Sequence, residues 1–193
     1  AAEPPVAASL RFGVAGRVTK DGTEQEPVDT AALARIGSQL KGLGIESVAV
    51  SFLFSFANPT HEKTARKVLS ESGLPVSLSH EILSEYREYE RTATTVINAY
   101  VLPKIRRYIE AMTKRIAVGD LRIMQSNGGS IAAATAVEQP VRTILSGPAG
   151  GVAGAMQVGA DAGFARLISF DMGGTSTDVA LIDGEPPITM ESI

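Results

Sequence analysis

Asp171-Met172-Gly173-Gly174-Thr175-Ser176-Thr177-Asp178-Val179 lies between two apolar runs, residues 167–170 and 179–182. The runs read as buried strands joined by a tight turn, which makes this stretch a candidate strand-loop-strand phosphate cradle. Gly173 and Gly174 permit positive φ and a close backbone approach, so successive N–H groups can converge on an anion. Thr175, Ser176 and Thr177 add hydroxyl donors, and Asp171 and Asp178 bracket them with carboxylates. A bare carboxylate pair would repel a phosphate, so the pattern implies Mg²⁺ between them. A Gly-Gly pair alone would favour a ligand-free polar turn. The two Asp, the three hydroxyls and a second Gly-rich segment just upstream favour phosphate.

That upstream segment, Ser146-Gly147-Pro148-Ala149-Gly150-Gly151, predicts the start of a helix of small residues running to about residue 162. Small side chains allow close packing of helix on helix or helix on nucleotide. Earlier still, Asp21-Gly22 between residues 11–20 and 23–28 predicts a hairpin with a two-residue turn. Asp29 or Thr30 caps a helix with Leu33, Ile36 and Leu40 on one face, ended at residues 42–44. Residues 47–54 form an apolar run that reads as a strand covered on both faces. Asn58-Pro59 starts a helix to about Ser72, and residues 75–79 return as a strand, which completes a βαβ unit. Residues 88–117 predict one long helix with Ala93, Val96, Ile97, Tyr100, Val101, Ile105, Tyr108, Ile109, Met112 and Ile116 on its apolar face, kinked or divided at Pro103. Residues 121–125 read as a strand, Asn127-Gly128-Gly129 as a sharp turn and residues 130–137 as a short helix ended by Pro140. The alternation of strand and helix predicts an α/β fold with a mixed sheet and flanking helices.

With 193 residues the chain can bury a real core in one domain or two small lobes. Its net charge of −3, with both signs interspersed, leaves no broad electrostatic footprint for nucleic acid. No apolar run reaches membrane-spanning length, so a soluble chain with neither nucleic-acid nor membrane partner is expected. The absence of cysteine excludes disulfides, thiolate metal sites and a cysteine nucleophile. There is no initiator Met, and residues 186–193 close in an extended apolar run; both ends read as cut. A strand there needs a pairing partner, so association through that edge is expected.

The order of a small-residue helix, a strand ending in Asp171, a Gly-Gly-Thr turn and a second strand resembles the actin-like ATPase superfamily, whose fold is ribonuclease H-like. The match is closest to the hydantoinase A and 5-oxoprolinase family, which includes acetone carboxylase subunits. It rests on the two Gly-rich segments and on Ser51-Phe52-Leu53-Phe54-Ser55-Phe56, Glu85-Tyr86-Arg87-Glu88-Tyr89-Glu90-Arg91-Thr92 and Gln125-Ser126-Asn127-Gly128-Gly129. The resemblance implies that residues 1–145 are the later part of a first lobe. Residues 146–193 are then the connecting helix and the start of a second lobe. It implies a cytoplasmic enzyme that uses ATP and Mg²⁺ to open a cyclic amide, assembled as a homo-oligomer or with a partner subunit. In that scheme Gly173, Gly174, Thr175, Ser176 and Thr177, with Gly147, Gly150 and Gly151, hold the nucleotide. Asp171 and Asp178 serve Mg²⁺ and the chemistry. Family members also carry an earlier phosphate loop and later segments that this chain lacks, so the chain alone is expected to be inactive. The alternatives are an acetone carboxylase-type subunit, or a non-catalytic actin-like scaffold or chaperone lobe.

His61-Glu62 and His80-Glu81 invite a metal reading, but no second ligand stands at i+4, and packing or capping is favoured. The charged run from Glu81 to Arg91 reads as ion-paired, with a substrate-side or interlobe role as the alternative. Ser146 lacks the glycine spacing of a hydrolase nucleophile elbow.

Overall fold

The structure is a computed structural model that describes residues 4–116 and 120–184. The chain divides into two compact units, Ala1–Tyr108 with Val137–Val141, and Ile109–Ala136 with Arg142–Ile193.

The first unit is built on a parallel strand pair. β1 (Arg17–Val18) and β2 (Glu24–Glu26) form an opening hairpin, followed by α1 (Thr30–Gly42), β3 (Val48–Val50), α2 (Thr60–Ser70), β4 (Val76–Leu78), α3 (Ser79–Ile82) and α4 (Glu88–Arg115). β3 and β4 run parallel, Val48 opposite Val76 and Val50 opposite Leu78, so the βαβ unit forms as expected. Its core is Val28, Leu33, Val50, Ala65, Leu69 and Leu78, with Phe52 and Val68 packed against them. Asp29 caps α1, its Oδ1 accepting from the Ala32 N–H at 2.9 Å. α2 differs from the expectation of Asn58 as cap and Pro59 as first helical residue: Pro59 is the N-cap, no side chain caps the helix, and Asn58 Oδ1 accepts from the Thr60 N–H at 3.0 Å in an Asx turn just before it. Gly44 and Gly73, both at positive φ, turn the chain after these helices.

Several expectations are corrected here. The opening hairpin turns through three residues, not two: the Gly22 N–H reaches the Thr19 carbonyl, Thr19 N–H reaches Thr23 O, and Gly22 takes φ +84°; the ladder also shifts register between Arg17 and Val18. The strand expected over residues 47–54 stops at Val50. The Phe52 N–H goes to Glu62 Oε1 at 3.0 Å and the Phe54 N–H to Glu88 Oε1 at 3.2 Å, so side-chain carboxylates take donors that a longer ladder would need.

Pro103 does not divide α4. Proline leaves the carbonyl four residues earlier without its donor, and that carbonyl, Ala99 O, accepts from the Ser47 hydroxyl at 2.5 Å. The buried stripe of α4 in this unit is also not the expected apolar face. Arg91, Thr95, Asn98, Ala99 and Leu102 are buried, while Ile97, Tyr100 and Tyr108 are exposed.

The second unit contains β5 (Arg122–Met124) and β6 (Ser130–Ala132), the start of α5 (Ala133–Glu138), whose last two residues belong to the first unit, then α6 (Ser146–Asp161), β7 (Arg166–Met172) and β8 (Thr177–Asp183). The helix expected over residues 130–137 begins as a strand, because Asn127-Gly128-Gly129 folds β6 back on β5, with Gly128 at φ +81°. One mixed sheet was expected. Among the described residues there are instead four separate two-stranded sheets, three antiparallel and one parallel. The closing run at residues 186–193 lies outside the described residues. No helix among the described residues is long and apolar enough to cross a membrane.

Candidate functional site

β7 and β8 are in direct register from Arg166 opposite Asp183 to Met172 opposite Thr177, which sets Asp171 directly across from Asp178. Because side chains alternate across a sheet, Leu167, Ser169 and Asp171 share one face with Ile182, Ala180 and Asp178. That face meets α6. Gly159 comes so close to Leu167 that a Cβ there would sit 2.3 Å from Leu167 Cδ2, and a Cβ on Gly151 would lie 3.5 Å from Asp171 Oδ2. Small residues along α6 thus let the helix lie flat on the hairpin, its first half beside the carboxylate pair. Gly150 rests near Met124 of β5 in the same way.

The opposite face of the hairpin carries Ile168, Phe170, Met172, Val179 and Leu181, each at least 60% exposed. The expectation of buried strands is therefore corrected: only one face is covered among the described residues.

The loop itself is closed by the Gly173 N–H donating to Ser176 O at 2.9 Å. Neither Gly173 nor Gly174 adopts positive φ, contrary to the expectation from their identity. A Cβ on Gly174 would meet nothing within 4 Å, and one on Gly173 would make ordinary contact with Ser176 O. The fold of the chain therefore gives no internal reason for glycine at residue 174. Thr175, Ser176 and Thr177 are exposed around the loop, and Ser176 Oγ stands 3.5 Å from Asp178 Oδ2.

Asp171 and Asp178 are exposed and have no cationic partner among the described residues. Like charges directly opposite on a sheet repel, and a divalent cation with oxygen ligands would relieve that repulsion. No group of three or more His, Cys, Asp or Glu able to hold a metal occurs among the described residues. A cation here would draw its remaining ligands from water or phosphate. α6 begins at Ser146 after Leu145 at φ +61°, with no side chain capping it. Gly150 and Gly151 are thus brought to β5 and Asp171 respectively, whereas Gly147 faces open space.

A second polar cluster, in the first unit, has the opposite character. Glu62 and Arg91 are both fully buried. Glu62 accepts from Phe52 N–H at 3.0 Å, Ser79 Oγ at 2.5 Å, His80 N–H at 3.0 Å and His80 Nδ1 at 2.6 Å. Arg91 donates to Ser79 Oγ, Glu85 O, Phe52 O and the Glu88 carboxylate, and its guanidinium stacks over Phe56. Ser55 joins through Ser79. His61, also buried, bonds Glu24 Oε1 at 2.8 Å and meets Phe52 edge-on. Neither histidine joins a metal-type cluster; each engages a single carboxylate at hydrogen-bond distance.

The ion pairing of residues 81–91 and the packing of both histidines form as expected; their convergence on one buried hub was missed because apolar residues were sought for the core of α4. The available signal was Arg91, Thr95, Asn98 and Leu102 at helical spacing.

The model of the hydantoinase/oxoprolinase family matches residues 91–193, and that of the hydantoinase/oxoprolinase N-terminal region matches residues 2–73. The chain is 38% identical over 182 residues to caprolactamase subunit alpha of Pseudomonas jessenii, covering 91% of this chain and 26% of that subunit. It is 35% identical over 157 residues to 5-oxoprolinase of Saccharomyces cerevisiae, covering 79% of this chain and 12% of that protein. Among solved structures, the ATP-dependent caprolactamase from Pseudomonas jessenii superimposes with a TM-score of 0.76 at 36% identity, over 87% of this chain and 25% of its own. The nucleotide-free structure of acetone carboxylase gives 0.73 at 30% identity, over 91% of this chain and 27% of its own. The chain thus spans about a quarter or less of the length of these relatives. With the carboxylate-bracketed glycine loop and the small-residue helix both inside the matched region, the chain belongs to the hydantoinase/oxoprolinase family.

Proposed function

We propose that this chain supplies one phosphate-holding half of an ATP-dependent enzyme that opens a cyclic amide. The observation that carries the reading is the Asp171–Asp178 pair, uncompensated and directly opposed across β7 and β8, beside Gly151 of α6 and under a glycine loop. Two neighbouring carboxylates with no cation fit Mg²⁺, and a glycine with open space above it fits a ligand that approaches the backbone. In this role Gly173, Gly174 and the hydroxyls of Thr175, Ser176 and Thr177 hold the β- and γ-phosphates, and Asp171 and Asp178 hold the metal. Gly147, Gly150 and Gly151 keep the start of α6 free of side chains that would fill the nucleotide's place. When bound, ATP supplies a phosphoryl group that converts the poor leaving oxygen of an amide carbonyl into a good one. Asp171 and Asp178 then position charge; one of them also orients the attacking group.

The fold that fits this reading is actin-like, with residues 1–145 in the later part of a first lobe and 146–193 forming the connecting helix and the start of a second. Turnover requires further segments such as its relatives carry, so the chain by itself is inactive. The cytoplasm, with a homo-oligomer or a partner subunit, is the setting we assign. Subunit naming supports the partner: the relatives include a caprolactamase alpha and an acetone carboxylase beta subunit.

The similarity to acetone carboxylase, 33% over 93% of this chain, favours as second reading a ketone-activating subunit that uses the same loop. The test is ATP hydrolysis by the full-length protein across lactams, hydantoins and small ketones. Stimulation by a cyclic amide that is lost in Asp171→Asn supports the proposal. Stimulation by ketones alone moves it to the second reading, and an Asp171→Asn variant as active as wild type would sink both.

A further inference from the structure

Arg106 stands out among the arginines of the first unit. Its Nε is buried and has no hydrogen-bond partner among the described residues. A buried unsatisfied donor is costly, and such a group marks either a defect or a site for a missing acceptor. Arg106 lines a cleft of about 260 Å³ together with Arg66, Ser77, Glu81, Leu102 and Glu138. The polar groups of this cleft divide cleanly into satisfied and unsatisfied.

Arg66 is neutralised by a two-pronged contact to Glu81, at 2.8 and 2.5 Å. Ser77, 3% exposed, accepts from Asn98 Nδ2 at 3.0 Å, so its own proton remains available to an acceptor in the cleft. Glu138 is exposed, and its carboxylate has no partner among the described residues. Once the Arg66–Glu81 pair is cancelled, one free cation with a free hydroxyl donor remains, and one free anion. Leu102 and Ile82 supply an apolar floor between them.

We infer that this cleft binds a small amino-carboxylic acid, its carboxylate on Arg106 and Ser77 and its ammonium on Glu138. Charge balance decides against a simple anion: Glu138 would repel it, whereas a zwitterion satisfies both free charges at once. An aliphatic stem would lie along Leu102. Opening a lactam releases a molecule of this class, so the cleft would register product; that link rests on the function proposed above, whereas the binding claim does not.

The test is calorimetric titration of the full-length protein, without ATP, with straight-chain amino acids from glycine to ε-aminocaproate, and with hexanoate and hexylamine as singly charged controls. One member of the series should saturate at 1:1 and bind about tenfold or more tightly than either control, the size of a charge-assisted hydrogen bond. Arg106→Met should weaken it by a similar factor. Glu138→Gln should erase its advantage over hexanoate. Arg107→Met, removing an exposed arginine that pairs with Glu46, should change nothing. Asp171→Asn should also leave this binding intact, so the cleft and the phosphate loop fail separately. Absence of saturable binding by every amino acid at millimolar concentration overturns the inference, as does binding indifferent to a folded Arg106→Met. If Arg106→Met does not fold, the exposed-site variant Glu138→Gln decides: an unchanged preference for amino acid over hexanoate overturns the site.

Discussion

Two clusters of charge in this molecule follow opposite rules. Around Arg91 and Glu62 the charged groups are fully buried and the hydrogen-bonding atoms of both have partners. At Asp171 and Asp178 the charges are exposed, alike in sign and without a cationic partner among the described residues. Burying a charge costs several kcal/mol and is tolerated only where bonds offset it. The first cluster is therefore bound to its structure: it joins α2, α3, α4 and the turn at residues 52–56, and loosening any part exposes the cost of the rest. The second costs the fold little beyond like-charge repulsion, and gains its purpose only from a ligand. Conspicuous charge in a sequence thus marks architecture when the structure saturates it, and chemistry when the structure leaves it open.

The contrast breaks most severely if the buried hub is dispensable. Glu62→Ala strands the Phe52 and His80 N–H groups and the Ser79 hydroxyl, and should destabilise the fold by about 3–5 kcal/mol in chemical denaturation. A loss under about 1 kcal/mol would mean that the hub is ornamental. In the second unit, Gly159→Ala should cost about 1–3 kcal/mol by overpacking. Its Cβ would collide with Leu167 Cδ2, which can rotate, and press on the Phe164 carbonyl at 3.2 Å, which cannot.

The same rule of saturation applies to Ser47, whose hydroxyl serves the carbonyl that Pro103 leaves open. Ser47→Ala should cost about 1–2 kcal/mol in the wild-type background and markedly less in Pro103→Ala, where the helix supplies its own donor. Equal costs in both backgrounds would refute the pairing. The smallest effect is at exposed Asp21, whose carboxyl lies below the ordinary carboxylate range because of the Thr19 hydroxyl and then the Thr23 backbone. A depressed native pKa contributes stability above the unfolded value, lost as pH falls through the native one. Thr19→Val should move the Asp21 titration, followed by NMR, back upward.

What the sequence revealed follows the same division. Local signals read true: Asp29 caps α1, Gly44 and Gly73 follow α1 and α2, and Val48–Val50 pairs with Val76–Leu78 across α2. Those outcomes depend on neighbours in the chain. Long-range polar partnerships were not legible. Nothing near Phe52 announces that Glu62 and Glu88 will take the donors of its strand, and nothing near Pro103 announces Ser47. The exposed apolar face of β7–β8 was misread for a related reason: Ile168, Phe170, Val179 and Leu181 carry the composition of buried strands, yet one face is uncovered among the described residues. The loop residues were legible as a motif. The glycine argument was wrong in its conformational half, since Gly173 and Gly174 need no positive φ, and survives only as open space for a ligand.

The most direct test joins both sides of the contrast in one variant. Asp171→Asn in the full-length protein removes a repulsion from the fold and a ligand from the proposed metal. Its stability in denaturant should stay within about 0.5 kcal/mol of wild type, or rise, while its calorimetric affinity for Mg·ATP falls by about tenfold or more. Unchanged affinity, or an unfolding cost like that of Glu62→Ala, would contradict the account.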